Sequence, residues 1–86
     1  MIKNIFSAIE KYNKYHSPEA TAKFVKYGKN FIVIGFSGPF SMNHCTSDWF
    51  DDFKIELEKK RLKVNIVSLK EKDGFHLVKF DFKKEV

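Results

Sequence analysis

The chain has 86 residues, 43% of them hydrophobic and 31% charged, with a net charge of +5 at neutral pH. That length holds one domain near the lower limit at which a single core suffices, and ten Phe, three Tyr and one Trp supply large buried areas, roughly 1.5–3 kcal/mol for each fully buried Phe. The lone Cys excludes an internal disulfide. No apolar run approaches the ~18 residues of a membrane span, and Asn4, Ser7 and Glu10 interrupt the N-terminus where a secretory apolar core would lie, so the expected setting is a reducing cytoplasm.

Ile2, Ile5, Phe6, Ile9 and Tyr12 recur at three-and-four spacing, which predicts an amphipathic helix over 2–14. Ser17-Pro18 ends it, because the residue before proline is pushed out of the helical region. The next stretch has two readings. Ser17, Pro18, Glu19 and Gly28 spell the start and stop of a short helix, whereas the alternation from Thr21 to Tyr27 and the turn residues Gly28-Lys29-Asn30 spell a strand leading into a hairpin. The strand is preferred, since the apolar run Phe31 to Phe36 needs a neighbour and a hairpin provides one. That run lacks alternation, which predicts a central strand or one covered on both faces, and Gly35 within it suggests a bulge or a close backbone approach. Ser37-Gly38-Pro39 breaks the strand.

A second helix is predicted from Thr46 to about Leu62. Asp48, Asp51 and Asp52 lie in its first turns, Lys59, Lys60 and Arg61 in its last, and Trp49, Phe50, Phe53 and Leu57 form its apolar stripe. Lys63 to Leu69 reads as a strand, Glu71 to Gly74 as a hairpin turn and Phe75 to Phe82 as the last strand. The expected fold class is α+β, a single domain over 1–86 in the order α-β-β-α-β-β, with two helices against a four-stranded antiparallel sheet.

Charge is unevenly spread. Residues 1–30 carry six Lys against two Glu, residues 31–58 one Lys against five acids, and residues 59–86 nine bases against four acids. Nucleic-acid binding through Lys59, Lys60, Arg61 and Lys63, together with lysines of the strands, is therefore the alternative function. Most lysines stand singly between apolar residues, as on solvated faces, and a single Arg gives little capacity for bidentate recognition.

The rare residues gather between Phe36 and Trp49. Cys45 next to His44 at a helix start suggests a thiol nucleophile, but the nearby aspartates oppose a thiolate, and a hydrophobic staple with Phe50 explains the same residue. A thiol or carboxylate enzyme centred on Cys45 is thus the third reading. His16, His44, Cys45 and His76 share no metal-ligand spacing, and Gly35 to Pro39 lacks the lysine and third glycine of a phosphate loop, so no metal, cofactor or catalytic residue is expected. What remains is the aromatic and apolar group around the loop, and Phe36, Phe40, Met42, His44, Cys45, Trp49 and Phe53 are the candidate ligand- or partner-binding residues.

Phe36-Ser37-Gly38-Pro39-Phe40 followed by Cys45, and Gly74-Phe75-His76-Leu77-Val78-Lys79-Phe80 at the end, fall within a stretch, about Thr21 to Phe82, that resembles the C-terminal half of the four-vinyl reductase and TRAPP-subunit ligand-binding domains. Met42 and Val78 stand where those proteins place further cysteines, so a metal-binding role does not carry over. The resemblance implies a non-catalytic module that binds an apolar small molecule or a protein partner. Small size and aromatic excess add an expectation of a homodimer.

Overall fold

The computed structural model describes residues 2–39 and 46–82, the side chains of residues 46 and 47 excepted. The element order is that read from the sequence: α1 (Ile2–His16), β1 (Thr21–Tyr27), β2 (Phe31–Ser37), α2 (Thr46–Lys59), β3 (Val64–Lys72) and β4 (Phe75–Phe82). Thr21–Tyr27 is a strand, and the helical alternative for it falls away. Two hairpins, β1–β2 and β3–β4, join through an antiparallel β2–β4 pairing to give the sheet order β1-β2-β4-β3.

Both helices lie on one face of this sheet. Alternation along the central strands sends Ile32, Ile34 and Phe36 of β2 and Val78 and Phe80 of β4 to that face, where they meet Ile5, Ala8, Ile9 and Tyr12 of α1 and Phe50, Phe53 and Leu57 of α2 in one core cluster. The lack of alternation in β2 reflects its central place: its other face, Val33 and Gly35, is also buried. Gly35 makes no bulge. The bulges lie in the two edge strands, between Phe24 and Lys26 and between Ile66 and Ser68, where an irregular edge discourages further pairing. Gly35 instead leaves room for side chains: a Cβ there would sit 3.2 Å from Val25 Cγ2 and 3.4 Å from Phe75 Cδ1.

Element ends follow local hydrogen bonding. The second helix stops at Lys59 rather than Leu62, because Arg61 takes a left-handed conformation (φ 64°); its amide donates to the Glu58 carbonyl and the Leu62 amide to the Leu57 carbonyl, which closes a Schellman turn. Leu62 then packs on the core beside that turn. The third strand runs three residues beyond Leu69, since Asp73 (φ 52°) and Gly74 (φ 81°) alone make the two-residue turn and Lys72 pairs with Phe75. At the other edge Asn13 supplies what a fifth strand would: its amide nitrogen donates to the Ala22 carbonyl at 3.0 Å, and its oxygen accepts from the Ala22 amide at 2.7 Å.

Candidate functional site

The aromatic group expected around the end of β2 is assembled from three elements. Tyr12 of α1 meets Phe36 and Phe53 edge-on at 5.6 and 5.4 Å between ring centres, Phe36 meets Phe50 at 5.0 Å, and His16 stacks on Tyr12 at 4.1 Å and faces the edge of Trp49 at 5.8 Å. Offset and edge-on pairs of this kind add about 0.5–1.5 kcal/mol each beyond burial. The cluster grades outward: Phe36 and Phe53 have no exposed surface, whereas Trp49 is half-buried at its rim. Phe40, Met42, His44 and Cys45 lie outside the described residues, and so does the proposed pairing of Cys45 with Phe50.

The polar groups in this cluster are already engaged. The Tyr12 hydroxyl donates to the Trp49 carbonyl at 3.0 Å, and burial, followed by the nearby Asp52 carboxylate, pushes its ionisation well above the usual tyrosine range. His16 contacts the Tyr12 carbonyl through Nδ1 at 2.9 Å and the Asp52 carboxylate through Nε2 at 3.2 Å. Asp52 thus ties the two helices together, while Asp48 and Asp51 are exposed on the first turns of α2. Among the described residues, no group of three His, Cys, Asp or Glu is placed to hold a metal ion. What the cluster offers to a ligand is apolar surface at Trp49.

The basic group Lys59, Lys60, Arg61 and Lys63 surrounds the Schellman turn. Its charge is partly committed, for Lys59 Nζ lies 3.4 Å from the Glu56 carboxylate, itself buried.

The strand lysines make a second surface, whose position the sequence alone does not show. Among the described residues, no layer covers the face of the sheet opposite the helices. Strand register places Lys23 and Lys26 of β1, Phe31 and Val33 of β2, Phe75, Leu77 and Lys79 of β4, and Lys70 and Lys72 of β3 on it. Two shallow grooves, of about 420 and 440 Å³, run over it, one lined by Phe31, Val33 and Lys79, the other by Lys23, Val25 and Phe75, with Leu77 common to both. Lys79 Nζ sits 4.5 Å over the Phe31 ring and Lys23 Nζ 5.8 Å over the Phe75 ring. Singly spaced lysines look like solvent decoration in the sequence; only the strand order shows that five converge.

No family model and no curated protein matches this chain. Among solved structures, one from work probing the function of heme distortion in the H-NOX family superposes with a TM-score of 0.53 at 18% identity, over 99% of this chain and 48% of that chain. A Cs H-NOX mutant with 4-cyano-L-phenylalanine at site 5 gives a TM-score of 0.47 at 18% identity, over 93% of this chain and 45% of that one, and adds no argument. The chain spans about half the length of these neighbours. The likeness takes in α1 as well as residues 21–82, and it does not bear on the four-vinyl reductase and TRAPP resemblance specifically. At this identity what is shared is the fold, a small α+β domain that also occurs as one half of a larger H-NOX chain.

Proposed function

We propose that this protein is a non-catalytic binding module that takes an apolar small molecule or a protein partner where β2 gives way to α2. The observation that carries the reading is the graded aromatic cluster: rings are locked in the core at Phe36 and Phe53 and continue outward to a half-buried Trp49, so a rigid apolar wall ends at the surface rather than within it. Phe40, Met42, His44 and Cys45 complete the proposed site from the adjoining segment. The four-vinyl reductase and TRAPP resemblance belongs to the same reading, as do a cytoplasmic setting and self-association as a homodimer. No helix among the described residues is long and apolar enough to cross a membrane.

Heme, studied in the H-NOX neighbour, is not part of the proposal. The His16 imidazole, the histidine of the aromatic cluster, has both ring nitrogens in contact with the Tyr12 carbonyl and the Asp52 carboxylate.

Trp49 is the only tryptophan, so all indole emission comes from this residue, and the Met42 variant tests whether the dye sits beside it. Titration with a neutral apolar dye such as N-phenyl-1-naphthylamine is expected to quench that emission by energy transfer in a saturable way, and to do so less in a Met42→Glu variant. Dye binding that leaves Trp49 emission unchanged, or no dye binding, contradicts the reading.

A further inference from the structure

We propose that the uncovered face of the sheet is a binding surface for single-stranded nucleic acid. This goes beyond the site at Trp49 and rests on different residues, on the opposite side of the sheet. Five ammonium groups, Lys23, Lys26, Lys70, Lys72 and Lys79, share this face, while the carboxylates near them are Asp81 beside Phe31 and Asp73 at the β3–β4 turn. The acids concentrate elsewhere: Asp48, Asp51, Asp52, Glu56 and Glu58 all belong to α2, in the layer on the other side of the sheet. With five ammonium groups against the two carboxylates of Asp73 and Asp81, the sheet face is itself net positive and suited to a polyanion.

Charge alone fits any anionic partner, and the apolar groups between the lysines narrow the choice. Phe31 and Phe75 each lie under a lysine ammonium, and a cation is held over the face of a ring rather than its edge. Both rings are partly exposed, and the two grooves meet at Leu77 between them. A base can take the place of the ammonium over the ring, and the displaced ammonium, on a flexible stem, then reaches the adjoining phosphate. Alternating stacking platforms and point charges are the pattern of sequence-tolerant single-strand binding. The single Arg agrees with this, because bidentate reading of base edges depends on guanidinium groups. Duplex is disfavoured, as no helix or long loop among the described residues projects from this face to enter a groove.

The test is fluorescence anisotropy with the full chain and a labelled oligo-dT of about twelve nucleotides. Binding is expected at low salt, and for three to five phosphate contacts affinity should fall with a log–log slope of roughly −2 to −3.5. Lys70→Ala with Lys72→Ala should reduce that slope by about 1.4 in magnitude. Phe75→Ala should weaken binding roughly tenfold with the slope unchanged. Charge removal at Lys59, Lys60, Arg61 and Lys63 should leave binding intact, and a duplex of equal length should bind more weakly. The proposal is overturned if no anisotropy change occurs at about 20 mM salt, or if the α2-turn variant abolishes binding while the sheet variants do not. It is also overturned if anionic vesicles or an acidic peptide bind as tightly and Phe75→Ala has no effect. The site at Trp49 is untouched by any of these outcomes, since its dye is neutral.

Discussion

The Tyr12 hydroxyl donates to the Trp49 carbonyl at 3.0 Å, a single bond that fixes the end of α1 against the first turn of α2. It orients the residue at the rim of the aromatic cluster from within the core. Tyr12→Phe keeps the ring contacts with Phe36 and Phe53 and removes only this bond, so it should cost about 0.5–1.5 kcal/mol in urea unfolding without changing the m-value. The Trp49 emission maximum should move at the same time, because the indole loses its backbone anchor.

The same phenol predicts a sign for alkaline stability. In the unfolded chain it ionises near pH 10, whereas in the folded protein burial and the Asp52 carboxylate hold it neutral to well above that. Its contribution is therefore complete below about pH 10 and declines as pH rises beyond it. The decline in the urea midpoint between about pH 10 and 11 should be shallower in Tyr12→Phe than in the wild type. Equal slopes would mean that the folded phenol ionises normally.

Asn13 satisfies both backbone groups of Ala22 on the open side of an edge strand. Asn13→Ala leaves a part-buried amide and carbonyl without that partner and should destabilise the fold by about 2 kcal/mol. Hydrogen exchange at the Ala22 amide should accelerate more than at the central-strand amides of Ile32 and Ile34. A uniform change in exchange would show that the side chain does not guard this edge.

Two backbone positions should respond in opposite directions. Arg61 holds the left-handed position of the Schellman turn without being glycine, so Arg61→Gly should stabilise by about 1 kcal/mol. Gly38, at φ 125°, lies so close to the Pro18-Glu19 backbone that an added Cβ would come within 2.8 Å of the Pro18 carbonyl oxygen and still closer to that of Glu19. Gly38→Ala should therefore cost at least about 2 kcal/mol. Midpoints from urea titration of both variants decide the matter.

How much of this could be read in advance differs by level. The six elements were legible because each is written in local periodicity, and α1, β2 and the stripe Phe50-Phe53-Leu57 needed nothing else. Ends were less so. Glu71 and Lys72 looked like turn residues because charged residues there mask a strand whose apolar side is only lightly covered, and the stop of α2 at Lys59 depends on an arginine in a conformation usually left to glycine. Relations between distant residues were not legible at all: the Asn13–Ala22 pairing, the His16–Asp52 contact and the bulges at Val25 and Val67 are products of packing. The aromatic cluster was half legible, since Phe36, Trp49 and Phe53 were expected near one another, while the part played by Tyr12 and His16 was not. The lysine face shows the same limit, because the β2–β4 pairing that gathers it is set by topology.

Binding beside Trp49 is tested most directly by mapping amide resonances of the ¹⁵N-labelled chain in two-dimensional NMR, with and without a saturating neutral apolar dye. The account predicts perturbations concentrated between Phe36 and Phe53, with Tyr12 and His16 following as the residues packed against Trp49. Perturbations confined to the sheet face around Phe31, Phe75 and Leu77, or scattered over the exposed edge strands, would contradict it.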